Sequence, residues 1–322
     1  MVEKAGVLVT GGAGFIGSHL IEALLNNERQ VFCVDNLDPY YDPAFKKQNL
    51  GFFSSNPGFR FFHSDISDME KMENIFKQNQ FETVFHLAAK TGVRNSISNA
   101  VEYEKTNIIG TTNIFELSRK FGIKKIIFAS SSSVYGNHAP PFKETMECNF
   151  PLSPYAATKK SVELISRMYN YLYGVSATGL RFFTVYGPRG RPDMAVYSFT
   201  EKIFSSQPIS LFGKNTKRDF TYISDIIEGI LSAEKACKNF ELVNLGNSKP
   251  EKVSTLISLL EKSIGKKALI NTTALPKEDI ELTIADLTKA KKTLGFSPKI
   301  PLSKGIPLFV DWFKKNRLKA LK

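Results

Sequence analysis

The chain has 322 residues, 42% of them hydrophobic, which is enough for one large or two modest globular domains. No apolar run reaches the roughly 18 residues that a membrane span needs, and only five residues precede GVLVTGGAGFIG, so we expect neither a membrane partner nor a signal peptide. The net charge is +12, but the basic residues are dispersed without a nucleic-acid-binding module, so we expect a polyanionic small substrate rather than nucleic acid.

Six short β-branched or apolar runs are predicted as buried parallel strands. They cover residues 6–10, 30–35, 59–65, 82–89, 123–131 and 176–183. Amphipathic segments such as GFIGSHLIEALLNN and NIIGTTNIFELSRKFG separate them and are predicted as helices. Strands and helices that alternate at this spacing predict an α/β fold with a doubly wound parallel sheet.

The rhythm of strands and helices breaks after about residue 184. Pro- and Gly-rich stretches, among them YGPRGRPDM, LFGKNTKRD and LGNSKPEKV, interrupt shorter elements there. We therefore predict a main domain over residues 1–183 and a smaller lobe mainly over 184–322, with the chain crossing between them.

Glycines cluster where the first strand gives way to a helix. The spacing of Gly12, Gly14 and Gly17 fits a dinucleotide-binding fingerprint, and Gly11 gives a second fit with Gly14 and Gly17. Glycine lets backbone amides and a helix N-terminus approach a pyrophosphate closely. This turn predicts a Rossmann-type cofactor site, and a glycine turn without a ligand is the alternative.

Asp35 ends the second strand, 18 residues after Gly17. A carboxylate at this place can accept both ribose hydroxyls of an adenosine and repels a 2′-phosphate. The sequence therefore favours NAD over NADP.

The segment SPYAATKKSVELISRMY predicts a helix that begins at Ser153 and Pro154. Tyr155 and Lys159 are four residues apart and share a face of that helix. Such a pair is often a packing tyrosine and a solvated lysine. Beside a nicotinamide, however, a cationic lysine favours the phenolate, which makes the tyrosine a general base for a substrate hydroxyl.

Four motifs together, TGGAGFIG, HLAA, FASSSSVYG and YAATK, resemble the extended short-chain dehydrogenase/reductase family, which includes nucleotide-sugar epimerases and dehydratases. The resemblance runs from about residue 5 to about 310. It implies that Ser131, or as second choice Ser132, hydrogen-bonds the sugar oxygen that loses its proton. It also implies NAD contacts by Gly11, Gly14, Phe15, Ile16, Gly17, Asp35, Asn36, Asp65, Ile66, Leu87, Ala88, Ala89, Asn107, Tyr155 and Lys159.

The residue before VYG separates the reactions of this family. Relatives that dehydrate or decarboxylate the sugar carry an acid there, whereas this chain has Ser133. Elimination of water needs an acid and a base, and the expected carboxylate is missing. The sequence therefore predicts C4 epimerisation, in which hydride leaves C4 for NAD and returns to the other face of a 4-keto sugar.

The stretch RFFTVYGPRGRPDM resembles enzymes that epimerise UDP-glucuronate, as do DNLDPYYDPAFKKQNL, TGVRNSI and KRDFTYISDI. Thr184 and Arg191 would bind the C6 carboxylate, since a guanidinium with a neighbouring hydroxyl suits that group. The alternative for Arg191 is a surface ion pair. A neutral or N-acetylated UDP-hexose substrate, and a non-catalytic NAD-binding module, are the competing functions.

The resemblance suggests three further substrate-binding residues. Arg218, before DFTYI, matches an arginine that binds the diphosphate. Asp279 matches an acid that binds the uridine ribose, although this chain reads PKEDIE where relatives have Gly-Asp. Arg94, in GVRNS, is either a second sugar-facing cation or a loop residue.

The three cysteines, Cys33, Cys148 and Cys237, are far apart and form no pair with disulfide or zinc spacing. We therefore predict reduced thiols, no metal and a cytoplasmic location. The family resemblance further implies a homodimer whose interface includes the helix that carries Tyr155.

Overall fold

The computed structural model describes residues 5–276 and 279–318. Its strands are β1 (Gly6–Thr10), β2 (Val31–Asp35), β3 (Phe59–His63), β4 (Phe81–His86), β5 (Lys125–Ser131), β6 (Ser176–Phe182), β7 (Thr184–Tyr186), β8 (Pro208–Phe212), β9 (Lys217–Tyr222), β10 (Phe240–Leu245), β11 (Pro250–Lys252) and β12 (Leu269–Thr273).

The α-helices are α1 (Phe15–Asn26), α2 (Pro43–Gly51), α3 (Met69–Gln78), α4 (Val93–Ser98), α5 (Ala100–Glu104), α6 (Gly110–Lys120), α7 (Pro154–Tyr173), α8 (Ala195–Phe204), α9 (Ile223–Ala236), α10 (Val253–Ile264), α11 (Thr288–Leu294) and α12 (Leu302–Asn316). A π-helical turn covers Lys105–Ile109, and a 3₁₀ turn covers Ser132–Tyr135.

The central sheet has seven strands in the order β10-β6-β5-β4-β1-β2-β3. The pairs from β6 through to β3 are parallel, so the predicted α/β fold with a doubly wound sheet is confirmed. All six predicted strands are present, and β10 is a seventh that the pattern of apolar runs did not indicate. Because the strand order changes direction at β1 and β4, the carboxyl ends of these strands are where a ligand is expected.

The strands are apolar because helices cover both faces of the sheet. All five residues of β1 are buried, as are all five of β2. One large core cluster joins strand residues such as Leu8, Val84 and Ile126 to Ile114 of α6 and Val162 of α7. This packing fixes the strand ends from which the candidate site residues project.

The helix α7 begins as the sequence predicts. Ser153 is the N-cap, and its hydroxyl accepts a hydrogen bond from the amide of Ala156 at 3.1 Å, while Pro154 is the first helical residue. The helix ends after 20 residues at Gly174, whose φ of 67° is left-handed. The cap therefore sets the position of Tyr155, in the first turn.

The chain forms two compact units. The first comprises the chain up to Gly136, Glu144–Phe182 and Ile227–Val243, and the second comprises Asn137–Lys143, Phe183–Ile226 and the chain from Asn244 onward. The second unit contains the sheets β11-β9-β7 and β12-β8. Among the described residues no helix is long and apolar enough to cross a membrane.

Candidate active site

The turn between β1 and α1 requires glycine at two positions. Gly11 has a φ of +72°, and a Cβ there would lie 2.6 Å from the amide nitrogen of Ala88. A Cβ at Gly17 would collide with the backbone of Gly11 and Gly12. Gly11 therefore lets this turn approach the backbone of Ala88, which follows β4, and Gly17 lets the first turn of α1 pack against the end of β1.

Gly14 is the N-cap of α1 and offers no side-chain cap. Phe15 and Ile16 open the helix, so their amides belong to the group of N–H donors that have no partner within a helix. Such an end, with its positive dipole, binds anions such as a pyrophosphate.

Asp35 is buried at the carboxyl end of β2, where its Oδ2 accepts from the amide of Ala13 at 3.1 Å and its Oδ1 accepts from that of Leu37 at 2.8 Å. A carboxylate has about four acceptor positions, so two remain for a pair of ribose hydroxyls. Burial raises the pKa of Asp35, and the nearby ammonium of Lys46 opposes that rise.

Two lysines that donate to Asp38, shortly after β2, are functional candidates that sequence reasoning missed. Lys46, buried on α2, places Nζ 3.8 Å from Asp35 Oδ1 and donates to the carbonyl oxygen of Asp38 at 3.1 Å. Lys90 donates to Asp38 Oδ2 at 2.8 Å. The only signal for Lys46 was its place in DPAFKKQNL, which does not indicate that a lysine is buried there.

The other expected cofactor contacts follow the carboxyl ends of neighbouring strands. Asn36 donates from Nδ2 to Asp65 Oδ2 at 2.8 Å. The predicted strand over 82–89 ends at His86, so the loop that follows contains Leu87, Ala88 and Ala89. Ile66 is buried after β3.

Asn107 is buried in the π-helical turn and holds two other segments. Its Oδ1 accepts from the amide of Lys90 at 2.8 Å, and its Nδ2 donates to the Lys90 carbonyl at 3.0 Å and to Thr158 Oγ1 at 2.9 Å. The loop after β4 is therefore tied to the helix that carries Tyr155 and Lys159.

Tyr155 and Lys159 lie on one face of α7, with Lys159 Nζ 6.0 Å from the centroid of the Tyr155 ring. Lys159 is buried, and its ammonium donates to the carbonyl oxygen of Ala129 on β5 at 2.8 Å. Burial lowers the pKa of Lys159 to about 8, and the carboxylate of Glu163 opposes that lowering. Lys159 thus carries a positive charge near the phenol below about pH 8.

The four serines of SSSSVYG occupy different environments. Ser130 is buried in β5 and donates to Glu163 Oε1 at 2.6 Å. Ser131 is half-buried, and its Oγ accepts from both the amide and the hydroxyl of Ser133, at 3.2 and 2.7 Å. Because Ser131 acts as acceptor in both bonds, its own hydroxyl hydrogen is available for donation. Ser132 is half-buried at the start of the 3₁₀ turn.

His86, for which no role was predicted, lies buried at the end of β4. Burial and the charge of Lys159 lower the pKa of His86 to about 3, so the imidazole is neutral. Its Nδ1 is 2.8 Å from Thr10 Oγ1 and its Nε2 is 2.9 Å from Thr111 Oγ1. The Thr111 hydroxyl donates to the Asn107 carbonyl, so it accepts from Nε2–H, which fixes the tautomer.

The expected substrate residues belong to both units. Arg94 is exposed on α4 in the first unit. In the second unit, Thr184 opens β7 and pairs with Phe220, two residues after Arg218 on the neighbouring β9. Arg218 Nη1 donates to the carbonyl oxygens of Lys217 at 3.0 Å and Glu281 at 3.3 Å.

Arg191 is half-buried and pairs with Asp193. Its Nε donates to Asp193 Oδ1 at 2.9 Å and its Nη2 to Oδ2 at 2.6 Å, so a carboxylate already occupies one edge of the guanidinium. Asp279 is half-buried, and its amide donates to the carbonyl oxygen of Pro276 at 3.1 Å. Among the described residues no cluster of His, Cys, Asp or Glu could hold a metal.

Comparison with known proteins decides the family. Residues 7–246 match the model of the NAD dependent epimerase/dehydratase family. The chain belongs to this family. A UDP-glucuronate 4-epimerase from Thermodesulfobacterium geofontis is 43% identical over 311 residues, which cover 96% of each chain.

Solved structures of epimerases of two substrate types share the fold. The UDP-glucuronic acid 4-epimerase of Bacillus cereus, in complex with UDP-glucuronic acid and NAD, is 36% identical with a TM-score of 0.90, covering 96% of this chain and 99% of that one. The UDP-glucose 4-epimerase of Thermotoga maritima, with UDP-glucose, is also 36% identical, with a TM-score of 0.89, covering 98% and 100%. The fold and overall identity to solved structures therefore do not distinguish the two sugars.

Proposed function

We propose that the protein is an NAD-dependent epimerase that converts UDP-glucuronate to UDP-galacturonate by inversion at C4. The observation that carries the proposal is the 43% identity to a UDP-glucuronate 4-epimerase over 96% of both chains. The distinctive stretch from Thr184 to Met194, with its arginine at position 191, adds a group suited to a carboxylate.

The residues around the glycine turn fit NAD. The turn allows close backbone approach at Gly11, the N-terminus of α1 suits a pyrophosphate, and Asp35 keeps acceptor positions for ribose hydroxyls. Bound NAD accepts a hydride from C4 of the sugar and returns it. Proton transfer and the positioning of the sugar are the tasks of the protein's own residues.

Protein purified without added nucleotide is expected to contain NAD and to turn over without added cofactor, because the hydride returns in every cycle. Denaturing the protein and assaying the supernatant for NAD and NADP tests this. NADP as the only nucleotide found would contradict the role given to Asp35.

Tyr155 is the proposed general base for the C4 hydroxyl. The buried ammonium of Lys159 favours its phenolate form, and Ser131 donates its hydroxyl hydrogen to the sugar oxygen. Ser133 supplies no carboxylate for elimination and instead donates to Ser131. These groups can remove and return one proton at O4, which is what epimerisation requires.

The remaining contacts are assigned by substrate group. Thr184 and Arg191 hold the C6 carboxylate, Arg218 the diphosphate and Asp279 the uridine ribose. Ser132 and Arg94 are proposed to face the sugar. Asp193 already accepts from Nε and Nη2 of Arg191, so the C6 carboxylate would have to displace Asp193 or bind another nitrogen of the guanidinium.

A UDP-glucose epimerase is the second candidate, supported by the equal identity to the Thermotoga maritima enzyme. The purified protein should be incubated separately with UDP-glucuronate, UDP-glucose and UDP-N-acetylglucosamine, and the C4 epimers separated by chromatography. We expect kcat/KM to be highest for UDP-glucuronate. A higher kcat/KM for UDP-glucose or UDP-N-acetylglucosamine would identify that sugar, and not UDP-glucuronate, as the substrate.

We also propose that the enzyme is a homodimer that uses α7. Leu164, Met168, Tyr171 and Leu172 recur at helical spacing along it and are exposed, Tyr171 by 86%. Val101 of the adjacent α5 is exposed by 75%. An apolar face of this kind is typical of a protein interface.

Leu164→Glu is expected to shift the dimer to a monomer, because it places a charge within that apolar face. Light scattering after size-exclusion chromatography measures the mass. Leu308→Glu, at an equally apolar exposed position on α12, is the matched control and should leave the mass unchanged. A wild-type mass of one chain would rule out the dimer.

The cytoplasm is the proposed location. The thiols of Cys33, Cys148 and Cys237 are buried and free, which is usual for a protein of a reducing compartment.

A further inference from the structure

A buried ionic cluster ties three elements of the first unit together. Glu163 of α7 and Arg181 of β6 are each 1% exposed, and Arg181 donates from Nε to Oε1 and from Nη2 to Oε2, both at 2.8 Å. Ser130 of β5 donates to the same Oε1 at 2.6 Å. One carboxylate thus joins a helix and two strands.

Two members of the cluster adjoin proposed catalytic residues, and the third contacts the serine segment. Ser130 directly precedes Ser131, and Glu163 lies one helical turn after Lys159 on α7. The guanidinium of Arg181 also lies 4.7 Å from the centroid of the Tyr135 ring. The segment 130–135, which carries Ser131, is therefore held at its start by Glu163 and at its end by Arg181.

Stability alone does not explain this cluster. Removing two charges from water costs about as much as their attraction returns, so a buried pair is often replaceable by apolar residues without loss of stability. Its bidentate geometry, in contrast, fixes distance and orientation.

The cluster also places charge near Lys159. The carboxylate of Glu163 opposes the effect of burial on the pKa of Lys159. From β4, neutral His86 faces Lys159, and Tyr155 faces it from its own helix. Glu163 supplies the negative charge in this environment.

Other charged or titratable groups surround Glu163. Lys160 Nζ lies 3.7 Å from Oε2, and Arg181 faces Glu163 from β6. The thiol of Cys148 is close enough to both Glu163 and Arg181 to feel their charges, and burial raises its pKa. Glu163 is therefore shared among three cations, with Lys159 the one that the mechanism uses.

We propose that Glu163 is a positioning residue that, through Ser130 and Arg181, sets the serine segment carrying Ser131 against the helix carrying Tyr155 and Lys159. The expected effect of Glu163 on catalysis rests on the proposed function. Its effect on the relative position of the serine segment and α7 does not.

The main test is the double variant Glu163→Gln/Arg181→Met, which removes both buried charges and leaves neither unpaired. We expect a folded, NAD-containing enzyme whose kcat for UDP-glucuronate falls at least about tenfold, because misplacement of reacting groups slows catalysis strongly, while KM changes less than about threefold. The alkaline limb of the kcat profile should move to lower pH, since Lys159 loses its proton earlier without the carboxylate.

Hydrogen exchange of the protein without sugar nucleotide supplies a readout independent of turnover. Amides of residues 130–135 should exchange faster in the double variant, and those of β1 should not. If the wild-type enzyme epimerises no UDP-sugar but this difference is seen, the proposed function fails and the positioning role stands.

Ser130→Ala keeps both charges and removes one hydrogen bond, so it replaces the double variant as the test if the double variant does not fold. It should lower kcat about threefold or more without moving the alkaline limb. The proposal would be overturned if the double variant kept the wild-type kcat, pH profile and exchange rate. It would also be overturned if Ser130→Ala kept the wild-type kcat and exchange rate.

Discussion

Replacing Tyr155 by Phe is expected to lower the kcat of UDP-glucuronate epimerisation at least about a hundredfold, the usual contribution of a positioned general base. The aromatic ring remains, so the binding of UDP-glucuronate, measured by calorimetry, should be preserved. Tyr173→Phe is the matched control, because it removes a hydroxyl from an exposed tyrosine at the far end of the same helix and should leave kcat unchanged.

Lys159→Met should cause comparable damage, because it removes the ammonium that favours the phenolate. For the wild-type enzyme, the pKa of Lys159 near 8 predicts that kcat declines as the pH rises above that value. Near-normal turnover in Tyr155→Phe would mean that Tyr155 and Lys159 are structural and that the active site lies elsewhere.

Arg191→Ala is expected to change both the substrate preference and the product. Once C4 of a uronic acid is oxidised, the C6 carboxylate is β to a ketone and is readily lost as carbon dioxide when the C5–C6 bond aligns with the carbonyl π system. An epimerase must hold the carboxylate out of that alignment, which favours a bidentate arginine with a second anchoring hydroxyl. Arg191 and Thr184 are the proposed anchors.

The preference for UDP-glucuronate over UDP-glucose should fall by about 2 kcal/mol, roughly thirtyfold, the cost of losing a charged hydrogen-bond partner. Mass spectrometry should also show more turnovers that end in a decarboxylated 4-keto-pentose. Arg119→Ala is the matched control, since Arg119 forms a surface ion pair with Glu116 on α6 and tests the alternative interpretation of Arg191. An unchanged preference with no pentose would favour a neutral hexose.

The sheet and the main strand ends were predictable because they depend on local patterns. Runs of apolar residues identified six strands, and Asp35 was located because it ends the second of them. Ser131 was selected among the four serines only through the family resemblance. The N-cap of α7 was equally local, since Ser153 and Pro154 stand side by side in the sequence.

What the sequence did not reveal depends on contacts between distant residues. No role was predicted for Glu163 or Arg181, and only the packing of α7 on the sheet shows that the two side chains form a buried ion pair. Ser130 could not be separated from Ser131 by composition, because the difference is the direction in which each side chain leaves β5. Lys46, next to a second lysine, gave no sign that it lies against Asp35.

The most direct test of the central claim uses UDP-glucuronate that carries deuterium at C4 and the purified enzyme without added cofactor. The product should be UDP-galacturonate that keeps the deuterium at C4, because the hydride leaves that carbon and returns to it from the same bound NAD. Mass spectrometry and proton NMR of the separated product measure this. Recovery of unchanged UDP-glucuronate, or of UDP-galacturonate without deuterium at C4, would contradict the proposed reaction.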